Sequence, residues 1–187
     1  MRNLALFIFV FFGAQAFTQV SDAYIRWGDK KLSWEDFAGP IIESSEFDAL
    51  TYSAISLEFQ GENVTLEFEI ESIFDPLQSW KKKGVNTYIL HHEQVHFDIT
   101  EYHCRLLKKR LKKHRFKSFQ TVESDIQNLF NEAYDKANAM QDKYDKQTNH
   151  SLNQKAQKRW NKKIKKLLSK TSSYKKARFV INIAYLL

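Results

Sequence analysis

His92-Glu93-Gln94-Val95-His96 reads H-E-x-x-H, inside a stretch from Val85 to Leu111 that contains neither proline nor glycine. Along it Val85, Ile89, His92, His96, Ile99, His103, Leu106 and Arg110 recur at steps of three or four residues, the spacing of one helix face. Two imidazoles four residues apart on a helix point to the same side and can share a metal ion. A glutamate beside the first can deprotonate a metal-activated water. The two histidines share their stripe with Ile89 and Ile99, so they turn inward, where an unpartnered imidazole is costly unless bonded or metallated. The alternative is an ordinary charged helix whose histidines are hydrogen-bonded.

A tetrahedral catalytic zinc takes three protein ligands and keeps one position open. Neither neighbour on the same helix is suited to be the third. Glu101 lies roughly half a turn off the stripe at about 100° per residue. His103 is on the right face, but it is about 10 Å up the axis from His96 at 1.5 Å per residue. The third ligand is therefore expected from another part of the chain.

Upstream, the reading changes from helix to sheet. Thr51 to Gln60 alternates Ile55, Leu57 and Phe59 with Ser56 and Glu58, and Asn63 to Phe74 alternates Val64, Leu66, Phe68 and Ile70 with Thr65, Glu67, Glu69 and Glu71. This predicts a hairpin turning at Gly61, with one buried and one acidic solvated face, closed by Asp75-Pro76. At the N-terminus, Arg2, the apolar run Leu4 to Phe12 and Ala14-Gln15-Ala16 have the layout of a signal peptide over residues 1–16. The apolar run is shorter than the roughly 20 residues of a spanning helix. A secreted or periplasmic chain of a single domain, 17–187, is expected, since about 170 residues can bury a sizeable core.

Downstream, Val122, Ile126, Leu129, Ala133, Ala137, Met140 and Tyr144 mark a second long helix, and Ala156, Trp160, Ile164 and Leu167 a third. Ser151 and Gln154 form an S-x-x-Q pattern that predicts the third helix to start at Ser151. His150 then occupies the corner between the two. Ala177 to Leu187 is apolar enough for a final strand or an interface segment. Cys104 is the only cysteine, which excludes an intrachain disulfide. The net charge of +7 gathers in Lys81–Lys83, Arg105–Lys117 and Lys155–Lys176. Such runs are mainly solvated helix faces, or they dock on an acidic surface or polymer. No nucleic-acid-binding motif is present, so no nucleic acid partner is expected.

Further residues carry a resemblance. Leu32-Ser33-Trp34-Glu35-Asp36-Phe37 with Gly39, then Ser79-Trp80, the His92 to His96 motif, and Tyr144-Asp145-Lys146-Gln147-Thr148-Asn149-His150 together resemble the bacterial domain of unknown function 922. The resemblance spans about Trp34 to Trp160 and implies a secreted zinc-dependent protease. Its Y-D-x-x-T-x-H element is matched by Tyr144, Asp145, Thr148 and His150. The family pattern usually continues with glycine where this chain has Ser151, and serine tolerates positive φ less readily.

These readings converge on an α+β fold of zincin type: a small antiparallel sheet packed on the H-E-x-x-H helix, followed by a helical subdomain that supplies the third ligand. The expected function is that of a secreted zinc peptidase acting on a peptide or protein substrate. His92 and His96 are its metal ligands and Glu93 its general base. His150 is the expected third ligand, with Asp145 holding a ligand imidazole from behind or serving as the alternative third ligand. Two rivals stand beside it: a non-enzymatic secreted module that binds through its basic helices, and a zinc amidase acting on cell-wall peptides. The sequence carries no reading of oligomeric state.

Overall fold

The computed structural model describes residues 23–187 and the backbone of residues 8–10. The expected signal peptide, 1–16, lies outside the described residues apart from that backbone, which runs as strand β1 (Ile8–Val10) parallel to Leu57–Phe59. The architecture is α+β, as expected. Two long strands, β4 (Ser53–Glu62) and β5 (Thr65–Phe74), form the hairpin. Strand β2 (Ile25–Arg26) and the C-terminal β7 (Arg178–Asn182) pair with β5, at Ile73–Phe74 and Thr65–Glu69 respectively. A separate two-stranded sheet joins β3 (Ala49–Leu50) to β6 (Trp80–Lys81). The apolar end of the chain is thus a strand.

Two details of the hairpin differ from expectation. The turn is Asn63-Val64, with Asn63 left-handed at φ 53°, while Gly61 stays in the ladder opposite Leu66. Asparagine is one of the few residues that adopts this conformation at low cost. The face expected to be acidic and solvated is not fully so, because Ser56 and Glu58 are buried. β4 is flanked by β1 and β5, and a strand paired on both sides loses the exposure of an edge. Burial, with Glu69 and Glu71 close by, raises the Glu58 carboxyl above its ordinary value.

Helix α1 (Thr87–Lys113) lies across the sheet. Gly84 at φ 79° turns the chain into it, and the Asn86 side chain accepts from the N–H groups of Tyr88 and Ile89, capping the first turn. Arg110, Lys112 and Lys113 fill its last turn, where cations favour the negative helix end. Helices α2 (Val122–Thr148) and α3 (Gln154–Lys170) pack on α1 and on each other. α1 is therefore the shared element, with the sheet against one side and two helices against another. The cores follow this division. Ile55, Leu57, Phe68, Cys104, Leu107, Ile126 and Phe130 knit sheet, α1 and α2, whereas Val95, Ile99, Tyr144, Trp160 and Ile164 knit the three helices. Cys104 is fully buried and its thiol is pushed up to about 12, so it packs and does not react.

The third helix starts later than expected. Its cap is Asn153, whose side chain accepts from the Ala156 N–H, and Ser151 belongs to the preceding corner. The early Trp34 segment is a short 3-10 turn whose Asp36 carboxylate accepts from the Ser33 N–H at 2.8 Å. Phe37 reaches Phe74 edge to face, and Phe74 in turn meets Phe97 of α1. Gly39 has a steric reason: a Cβ there would lie 2.6 Å from the Leu77 carbonyl oxygen and 2.8 Å from that of Ser79.

Candidate metal centre

His92 and His96 lie one turn apart in the N-terminal half of α1, on the face turned to α2 and α3, and are 3% and 2% exposed. Each ring is held from behind by a glutamine. His96 Nδ1 is 2.7 Å from Gln141 Oε1, and His92 Nδ1 is 2.9 Å from Gln157 Oε1. The amide orientations are fixed by their other ends. Gln141 Nε2 donates to the His96 carbonyl and Thr100 Oγ1, and Gln157 Nε2 donates to the Tyr144 hydroxyl and Asn161 Oδ1. Both Oε1 atoms are thus acceptors, so both Nδ1 atoms carry the proton and both Nε2 atoms are left with a lone pair.

Those two Nε2 atoms converge, 3.2 Å apart. Asp145 Oδ1 completes the group, 3.2 Å from His92 Nε2 and 2.9 Å from His96 Nε2. Three electron-rich atoms facing one another repel unless a cation or proton lies among them. The surroundings favour positive charge on the His92 ring. Burial alone pulls the His92 imidazole below its ordinary value, but the bond to Asp145, the Glu93 charge and the Gln157 bond outweigh it and raise it.

Tyr144 serves as packing between the rings. Its ring stacks on His92 at 4.6 Å and meets His96 edge-on at 4.9 Å. Its hydroxyl donates to the His92 carbonyl, and burial keeps it protonated far above the ordinary tyrosine range. Glu93 is 3% exposed and lines, with His92 and Asp145, a cavity of about 210 Å³. Phe47, Asp48 and Ala49 form one wall and the corner Asn149–Leu152 the other.

Among the described residues, His92, His96 and Asp145 are the group whose ligand atoms could hold one metal ion, all within 4.8 Å of one another. His150 is not among them. α2 continues to Thr148 and carries Gln141, Tyr144 and Asp145 on the buried face against α1. The chain then reverses through three consecutive left-handed residues, Asn149, His150 and Ser151 at φ 49°, 48° and 78°. That reversal leaves the His150 side chain 47% exposed at the cavity mouth. Its ring lies 4.6 Å from Phe47 and its Nδ1 is 3.9 Å from Asp145 Oδ2. The corner is tied to the start of α1 by the Tyr88 hydroxyl, which donates to the Ser151 carbonyl at 2.8 Å.

The role of holding an imidazole from behind, expected of Asp145, falls to Gln141 and Gln157. Neither glutamine was anticipated. The signal for Gln141 was its place four residues after Ala137 and three before Tyr144, a polar side chain on a buried stripe. Gln157 likewise follows Ala156 on the face that carries Trp160 and Ile164. Of the other polar residues of α1, Glu101 and His103 lie where the helical spacing puts them. His91 is exposed, His103 stands apart from the cluster, and Glu101 is buried in an ion pair with Arg105 at 2.6 Å.

No curated protein and no solved structure gives a match to this chain. The family model described as "Bacterial protein of unknown function (DUF922)" matches residues 74–151. That segment contains the end of β5, all of α1 and α2, and the left-handed corner, so the similarity to the DUF922 family covers the elements that carry His92, His96 and Asp145.

Proposed function

We propose that the chain is a zinc-dependent hydrolase of peptide (amide) bonds, of zincin type, with Glu93 as general base. The observation that carries this reading is the convergence of two imidazole Nε2 lone pairs and the Asp145 carboxylate beside Glu93 in an open cavity. Two neutral imidazoles and one carboxylate are a known donor set of catalytic zinc, and three protein ligands leave a position open. When bound, zinc supplies Lewis acidity and makes a water acidic near neutral pH.

The protein's own residues do the rest. Gln141 and Gln157 keep each ring in the tautomer that presents Nε2. Glu93, adjacent to His92 but on the cavity wall, accepts the proton of the attacking water and passes it to the departing amine. β3 is paired along one edge with β6, and Ala49 lines the cavity. An extended substrate adding to β3 by main-chain hydrogen bonds would cross the site with little demand on its sequence. His150, half-exposed at the mouth, is placed to meet that substrate.

The test is metal analysis of the purified chain and its variants, paired with digestion of a peptide library. His92→Ala, His96→Ala and Asp145→Ala should lose stoichiometric zinc. Glu93→Gln should keep zinc and lose hydrolysis, and His150→Ala should keep zinc with slowed hydrolysis. Absence of zinc in the parent chain would remove the proposal. Equal loss from the Glu93 variant, with circular dichroism unchanged, would make Glu93 a ligand.

A further inference from the structure

A second cavity, of about 450 Å³, opens between the C-terminal half of α1 and the N-terminal half of α2, within the ~300–1,000 Å³ range of small-molecule sites. Leu107, Leu129 and Ala133 give it an apolar floor and are nearly inaccessible to solvent. No aspartate or glutamate is among its lining residues, whereas Lys109, Arg110, Lys113 and Lys136 are.

His103 lines this cavity, is 5% exposed, and has no hydrogen-bond partner on either ring nitrogen. Buried polar atoms are bonded in the great majority of cases, so an imidazole with both nitrogens unbonded on a cavity wall offers one donor and one acceptor to a molecule that enters it. Arg110 repeats the signal. Its Nη2 is anchored on Glu132 at 2.7 Å, while its Nη1 is buried and unpaired. Glu132 also holds Lys136 Nζ at 3.3 Å, so the guanidinium and the ammonium are gathered on one carboxylate. The Lys136 charge is felt at His103, where it joins burial in holding the imidazole neutral.

We propose that this cavity binds a small anionic amphiphile, a monocarboxylate with an unbranched apolar tail, of the free fatty acid class. The carboxylate takes the free N–H groups of Arg110 and His103, and the tail lies on Leu107, Leu129 and Ala133. A guanidinium and a ring N–H are matched donors for a carboxylate. An acidic peptide suits the cavity less well, because it would set backbone N–H and C=O groups against an apolar floor. The site is separate from the metal cluster, since His103 is two helical turns, about 10 Å, along α1 from His96.

Calorimetric titration of the full chain with decanoate tests this, with decanol, acetate and phosphatidylglycerol vesicles as parallel arms. The expected result is saturable one-to-one binding of decanoate, weakened at least tenfold in both His103→Leu and Arg110→Gln. Arg110→Gln sits on a half-exposed residue and keeps the question open should the His103 variant fail to fold. Decanol binding as tightly as decanoate would reduce the cavity to a greasy groove and overturn the proposal. So would acetate binding equally well, an absence of saturation, parent-like binding by both variants, or binding to the anionic vesicles alone.

Discussion

Replacing Gln141 with leucine isolates what holds the His96 ring in place. The substitution removes the acceptor 2.7 Å from His96 Nδ1 and the two donations from Gln141 Nε2, to the His96 carbonyl at 2.9 Å and Thr100 Oγ1 at 3.2 Å. A buried Nδ1–H left without an acceptor costs about 1–3 kcal/mol. Losing the group that orients a ligand imidazole costs about 10–100-fold in metal affinity. At free zinc near 100 times the parent Kd, binding stabilises the parent by about 2.7 kcal/mol, whereas a 100-fold weaker variant gains only about 0.4 kcal/mol. Competition against a chromophoric chelator gives the affinities, and melting with and without zinc gives the stabilities. Gln141→Glu is the paired variant. It keeps an acceptor for Nδ1 but loses both donations, so it should melt lower and still bind zinc. Parent-like affinity in the leucine variant, or equal losses in both, would refute the reasoning.

Three further outcomes are expected. Burial pushes the His103 imidazole down to about 4, so the unfolded chain binds its proton more tightly than the folded one. Its contribution is complete above the unfolded value of about 6.5 and is lost as pH falls from there through about 4, a total near 3 kcal/mol that His103→Leu should remove from the acid limb of a urea-stability profile. Gly39→Ala should lower the urea midpoint by the equivalent of about 1–3 kcal/mol, because its methyl group meets two carbonyl oxygens of the Leu77–Ser79 segment. Ser151→Gly should raise the melting temperature by the equivalent of about 0.5–1 kcal/mol, since a left-handed serine at φ 78° is strained where glycine is not; an unchanged or lower value would mean that the corner is not under strain.

Periodicity was enough to read the fold's main parts. The stripe through His92, His96, Ile99 and His103 is the buried face of α1 in the structure, and the alternation of Leu66, Phe68 and Ile70 is that of β5. What misled was local chemistry whose outcome depends on neighbours. Gly61 has the composition of a turn, yet the ladder extends past it to Glu62 and Thr65. Ser151 has the form of a cap, yet left-handed backbone at Asn149–Ser151 delays α3 to Gln154. The third member of the His92–His96 cluster turned on the same corner. One turn of helix before it places Asp145 against α1, and the reversal after it carries His150 outward. A one-dimensional pattern does not contain the φ angles that decide between them. Glutamines are harder still, because Gln141 and Gln157 act through amide orientation, which exists only once three helices have met.

Each imidazole is clamped by a different helix, His96 by Gln141 of α2 and His92 by Gln157 of α3. The two clamps meet at Tyr144, whose hydroxyl accepts from Gln157 Nε2 and whose ring touches both imidazoles. α3 is the shorter helix, its surface is rich in lysine, and it packs on α1 through Trp160 and Ile164 and bonds it through Gln157. Local opening of such a segment precedes global unfolding. When α3 lifts, His92 loses the Gln157 bond but keeps Tyr144 and Asp145 of α2 beside it, while His96 keeps Gln141, so amide exchange in α3 and the release rate of an added zinc ion should rise together. The face that carries His92 and His96 then doubles as a gauge of how firmly α3 is seated.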